Sequence, residues 1–188
     1  MRGRLFGRGR RPWRDAPWGD ERGAVAVEFA FVMPMLLALY LGGFAASQAV
    51  ATWRKMSDAT SQITSVTTQF TSMKQADVLG VETAAAQIMS PYNTSALSVL
   101  ITRVDVDASG NAAVFWSQPN ANATSIPTGT KVTLPANLTQ PGTSVIWVQT
   151  SYPYTPAAGA AYVPKMTLTD QLYSAPRSST NIPCPDCL

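Results

Sequence analysis

Between Ala24 and Ala46 the chain is apolar at nearly every position, with no alternation to mark one face as wet. Roughly 20 such residues cross a hydrocarbon core of about 30 Å, so 24–46 is predicted to be a transmembrane helix. Beyond it the apolar positions thin to a stripe, Met56, Ala59, Ile63, Val66, Phe70 and Met73, at the three-and-four spacing of one helix face. The positions between are mostly Ser, Thr and Gln, so the stripe predicts an amphipathic helical region over 47–92 that packs against a domain or a neighbouring subunit. A second helix is expected from Asp77 to Ser90, stopped by Pro91. The period then changes to two. Leu97–Asp107 and Ala112–Ser117 read as strands around an Ala108-Ser109-Gly110-Asn111 hairpin loop, with further strands at Val145–Tyr152 and Val163–Tyr173. Residues 118–144, rich in Asn, Thr, Pro and Gly, read as a long exposed loop with a short strand near Val132. The prediction is an α+β chain whose small antiparallel sheet, within 93–176, covers the amphipathic helix, followed by a tail at 177–188.

Charge sharpens this picture. Residues 1–23 carry seven arginines against three acidic side chains, net +4, while the remainder carries seven basic and eight acidic side chains, net −1. The modest overall +3 therefore conceals a polarised chain. By the positive-inside rule, the basic segment 1–23 stays cytoplasmic, the span crosses as a single pass, and everything after Ala46 is exported. The arginines, with Trp13 and Trp18, also invite a nucleic-acid reading, but positive charge beside a span has a topological explanation, and no nucleic-acid partner is expected. Trp53, Arg54 and Lys55 read as an interfacial anchor.

Glu28 is the single formal charge inside the apolar run. A carboxylate near the bilayer centre costs at least about 2.5–3.5 kcal/mol, less toward the interface, so a retained one has a partner, a role or a shallow position. Gly23 followed by Ala24-Val25-Ala26-Val27-Glu28-Phe29 looks like a prepilin peptidase site, at which cleavage after glycine leaves glutamate as fifth residue. The longer pattern, Arg22-Gly23-Ala24, Glu28-Phe29-Ala30 and Pro34, resembles the TadE-like family of tight-adherence (Flp) pilus assembly proteins. Weaker similarity continues through Leu79–Pro91, Val104–Trp116 and Val145–Arg177, and stops short of the Cys184-Pro185-Asp186-Cys187 end. The resemblance implies a pilin-like fold, a single pass in a bacterial inner membrane with a periplasmic or extracellular domain, a basic cytoplasmic leader at 1–23 removed by a prepilin peptidase, and partners among other pilins and pilus assembly proteins.

Cleavage after Gly23 would place a new ammonium group on Ala24, one helical turn from Glu28. The two charges would stabilise each other in a low dielectric, within one chain or between adjacent chains. The bland alternative leaves Glu28 solvated at headgroup depth. Pro34 removes one helix hydrogen bond and favours a kink, which membrane helices tolerate.

No catalytic constellation emerges. The chain has no histidine, no Gly-x-Ser-x-Gly elbow and no phosphate-binding loop, so no enzyme activity, cofactor or small-molecule substrate is expected. Asp105 and Asp107 alternate beside a turn, but calcium takes about six to eight oxygens, and solvated strand-end charges describe them better. Cys184 and Cys187 lack the βαβ setting of a redox motif and the two further ligands of a metal site; a local disulfide is expected, and no metal. The sequons at Asn93, Asn122 and Asn137 are acceptors only in a suitable host.

Two functions remain in competition. One is a minor pilin-like protein, a pseudopilin, for assembly of a tight-adherence pilus. The other is a secreted binding module released by ordinary signal peptidase after Ala49-Val50-Ala51. The apolar run exceeds the usual h-region of about 7–15 residues, and a charge at Glu28 would serve nothing in a discarded segment.

Overall fold

One helix, α1, runs from Glu21 to Thr67 and passes through Pro34 without interruption. The structure, a computed structural model, describes residues 21–156 and 164–188. The arginines and tryptophans of 1–20 lie outside the described residues, as does the expected strand start at Val163. The chain divides into a unit ending at Tyr40 and a larger one from Leu41 onward. In the first, the large side chains of α1 are bare: Phe31 is 79 % exposed and Tyr40 71 %. Among the described residues, α1 supplies one segment long and apolar enough to cross a membrane. At 1.5 Å per residue, 24–46 spans about 34 Å, enough for the hydrocarbon core.

In the second unit, α1 is part of a core. Met56, Ala59 and Ile63 are wholly buried and pack with Val99, Ile101, Ile146 and Val148 of the sheet described below. Burial also takes in Thr52, Thr60, Thr64 and Thr67, positions whose polarity suggested the wet face. Three of these hydroxyls are satisfied within the helix, Thr52, Thr60 and Thr64 donating to the carbonyls of Gln48, Met56 and Thr60 at 2.8–2.9 Å, while that of Thr67 has no partner among the described residues. Such back-bonding lets a small polar side chain face a core without leaving a donor unpaired. The apolar stripe itself does not continue as one helix to Met73. α1 ends at Thr67, Met73 reaches the core from the following turn, and Val66 stays 40 % exposed beside a groove floored by Ala76, Gly80 and Ala84.

The second helix, α2 (Gln75–Ile88), starts two residues before the expected position. Its first turn is closed by Asp77, which accepts from the Lys74 amide at 2.9 Å. The sheet comprises β1 (Ser98–Val106), β2 (Ala112–Pro119), β3 (Lys131–Val132), β4 (Ser144–Tyr154) and β5 (Met166–Ser174). All neighbours are antiparallel, in the order β3-β2-β1-β4-β5. The α+β architecture, with a long N-terminal apolar helix followed by a small antiparallel sheet, is thus the expected one. The β1–β2 turn uses Gly110 at φ 81°, a left-handed conformation that glycine adopts without strain.

Two regions differ from the sequence expectation. The 118–144 stretch is more than an exposed loop: Leu134, 6 % exposed, packs with Val104, Val106, Ala112 and Val145 in a second small core, assisted by Val132 and Leu138. Its spaced leucines fold back over the second face of β1, which is buried on both sides. The 177–188 segment is woven into the domain. Ile182 is fully buried, the Met73 amide donates to the Pro183 carbonyl at 3.0 Å, and the Arg177 amide to that of Thr68 at 2.8 Å. Apolar Ile182 and two prolines, Pro183 and Pro185, which carry no amide to solvate, make this segment suitable for a covering role.

Candidate functional site

Gly23, Ala24 and Glu28 occupy the first two turns of α1, all exposed. Among the described residues, a Cβ at Gly23 would meet nothing within 4 Å, so none of them crowds the Gly23–Ala24 bond. The first amides of a helix lack intrahelical acceptors, which makes this turn the easiest part of α1 to unwind. Ala24 and Glu28 are one turn apart, with a rise of about 6 Å along the helix. Pro34 lies further along, where the carbonyl of Ala30 has no donor. By contrast, Ala49-Val50-Ala51 is in mid-helix, and the residue that follows, Thr52, is wholly buried.

Asp105 and Asp107 are drawn to separate tasks. Asp105 is gripped by Arg103, whose Nε and Nη2 donate to its two carboxylate oxygens at 2.8 and 2.6 Å. The Arg103 side chain is itself buried: Nε also donates to Ser144 Oγ at 3.1 Å, and the guanidinium lies 4.0 Å from the centroid of the Phe115 ring. Asp107 closes the hairpin turn, accepting from the amides of Ser109 and Asn111 at 2.7 and 2.9 Å and from Asn111 Nδ2 at 3.0 Å. The Asn111 hydrogen bonds hold its carboxyl below the usual range. The reading of both as solvated strand-end charges is therefore replaced by one ion pair and one turn clasp. The alternation Arg103-Val104-Asp105 was the available signal for the first, because it puts both side chains on one face of β1.

Lys55, expected at the membrane interface, is engaged with the domain: it donates to the Ser90 carbonyl and lies 6.0 Å from the Tyr92 ring centroid. Glu82 escaped notice in the sequence. It shares the core-facing stripe of α2 with Val78, Ala85 and Met89, is 6 % exposed, and its Oε1 has no partner. Desolvation raises its pKa from 4.5 to about 7.

The two cysteines are joined in a Cys184–Cys187 disulfide. Asp186, between them, accepts from the Gln75 amide at 3.1 Å, which places a carboxylate at the N-terminus of α2. Cys184, Asp186 and Cys187 lie close enough to share an ion, but paired sulfurs leave one good ligand, too few for a site. Asn122 Nδ2 is committed to the carbonyls of Ser95 and Leu97 at 2.8 and 3.0 Å.

No curated protein and no solved structure gives a match to the chain. A family model does match, over residues 23–64. The match begins at Gly23 and takes in Glu28, Pro34 and α1 almost to its end. The resemblance read from Gly23-Ala24, Glu28-Phe29-Ala30 and Pro34 is thereby shown over that segment: residues 23–64 are similar to the TadE-like protein family.

Proposed function

We propose that this protein is a minor pilin-like subunit, a pseudopilin, required for assembly of a tight-adherence pilus, and that a prepilin peptidase cuts it after Gly23. The observation that carries this reading is the TadE-like match beginning at Gly23, on an open first turn, with a lone carboxylate one turn into the apolar helix. After the cut, the Ala24 ammonium and the Glu28 carboxylate form the charged head of α1. At about 5 Å and an effective dielectric of about 20 their attraction is about 3 kcal/mol. Satisfied by a neighbouring subunit's ammonium, the same carboxylate draws α1 from the inner membrane into an assembly of pilins. The role is structural, and the Arg22-side leader is the cytoplasmic part that is discarded.

The folded part favours this over release after Ala51. That cut would divide α1 between Gln48 and Thr52, whose hydroxyl and carbonyl are bonded, and would begin the mature chain at a buried residue.

Intact mass and N-terminal sequence of the protein from its native membrane test the reading. A chain beginning at Ala24 supports it; one beginning at Thr52 in a soluble fraction overturns it. Glu28→Ala separates cutting from pairing: the variant should be processed normally while piliation falls by at least about tenfold. Undiminished piliation would remove the charge-pair mechanism.

A further inference from the structure

The sheet face turned away from α1 carries a cleft of about 630 Å³, within the range of roughly 300–1,000 Å³ typical of ligand sites. Strand register builds its floor in rows. Ser98 of β1 lies opposite Ser151 of β4, which lies opposite Thr169 of β5. The next row is Leu100, Gln149 and Gln171. The row after that brings Trp147 beside Tyr173, their rings stacked 5.5 Å apart at 14°. Gln171 joins floor to aromatic row, its Oε1 accepting from Trp147 Nε1 at 3.3 Å.

One wall is formed by residues 122–124, and it is fixed in place. Asn120 donates to the Leu97 carbonyl at 2.7 Å and accepts from the Val99 amide at 3.1 Å, while Asn122 donates to the carbonyls of Ser95 and Leu97. A wall so pinned needs no ordering when a ligand arrives. The side chains of the first two rows are hydroxyls and carboxamides apart from Leu100, and none of them is ionisable. Among the described residues, the side chains of Ser98, Thr124, Gln149, Ser151 and Thr169 make no hydrogen bond to protein, although each can donate and accept, or do both at once.

We infer that this cleft binds a neutral oligosaccharide. A sugar hydroxyl, like the cleft's own groups, is donor and acceptor together, so rows of Ser, Thr and Gln match a polyol better than they match an ion or an apolar ligand. The stacked aromatic pair at the border offers an apolar surface to the C–H face of a terminal ring. These rows carry no basic side chain, so nothing in them would neutralise a phosphorylated, sulfated or acidic sugar. The main-chain groups of β1 and β4 are used within the sheet, so an extended peptide finds no ladder to join on this face.

The test is saturation-transfer NMR and calorimetry on the full chain in a zwitterionic, sugar-free detergent, since glycoside detergents would occupy the cleft. The probes are maltotriose, cellotriose and chitotriose, with a sulfated trisaccharide as the anionic comparison. At least one neutral probe should show saturation transfer, and the Gln149→Ala, Thr169→Ala double variant should weaken it by about tenfold, as expected for two lost hydrogen bonds. Ser151→Trp, which fills the first row, should abolish it. Circular dichroism confirms that both variants fold, their sites being partly or fully exposed. No transfer to any neutral probe, transfer unaffected by either folded variant, or stronger binding of the sulfated sugar would each overturn the inference.

Discussion

The two halves of α1 differ in what surrounds them more than in what forms them. From Val25 to Tyr40 the helix is apolar all round except at Glu28 and its large side chains are bare; from Thr52 to Thr67 it mixes polar, charged and aliphatic residues, and a threonine-rich face is fully buried. Polarity along a helix therefore gives a poor measure of burial when hydroxyls can bond their own backbone. Among the described residues the first half has no protein packed around it, and its apolar side chains are those a lipid solvent would require. The second has a sheet around it and needs small ones that allow close approach.

Truncation should break this contrast most sharply. Ile63→Ala, in the wholly buried half, should cost the domain about 2–5 kcal/mol in denaturant unfolding followed by tryptophan fluorescence. Phe31→Ala, the same kind of deletion at a 79 % exposed position, should leave that transition where it was. Equal losses at both sites would show that the halves are not separate environments.

Two carboxylates on helices sharpen it further. Glu28 is exposed on the apolar half of α1, whereas Glu82 is enclosed on α2 with a pKa raised from 4.5 to about 7. Because the folded value lies above the unfolded one, the folded state holds this proton more tightly. Its contribution is full below about pH 4.5 and is lost as pH rises through about 7, a change of about 3 kcal/mol. Unfolding measured from pH 4 to 8 should show that decline, Glu82→Gln should flatten it, and Glu82→Leu should raise stability at pH 8. An unchanged slope in the glutamine variant would assign the pH dependence elsewhere.

The smallest effect concerns the threonine face. Thr60 Oγ1 lies 2.7 Å from Thr150 Oγ1 on β4 and also donates to the Met56 carbonyl. Thr60→Val should cost about 1–2 kcal/mol by leaving the Thr150 hydroxyl unpaired, and adding Thr150→Val should recover most of it. Additive losses in the double variant would mean that the two hydroxyls do not act as a pair.

The sequence revealed what local pattern determines. An apolar run, a three-and-four stripe, period-two strands and a Gly-Asn turn each encode their element within a few residues, and the observed strands fall within a few residues of expectation. The Gly23-to-Glu28 motif was legible for the same reason, being a spacing on one helix. What stayed hidden depends on register between distant segments. Nothing near Ser98 announces that Ser151 and Thr169 stand beside it, and nothing near Trp116 announces that its indole will donate to the Ile182 carbonyl at 2.8 Å. Threonine burial was hidden differently, by a residue type whose hydroxyl conceals how well it packs.

The covering segment that ends in the Cys184–Cys187 loop has a consequence for how the domain comes into being. Trp116 and Arg103 both donate to the Ile182 carbonyl, and Met73 to that of Pro183, so groups made earlier in synthesis wait for acceptors made 66 residues or more later. A ribosome delivers residues in order, and contacts of such wide sequence separation cannot form until the last partner has emerged. These bonds, and the burial of Ile182 that they accompany, therefore form only after Ile182 has cleared the ribosome.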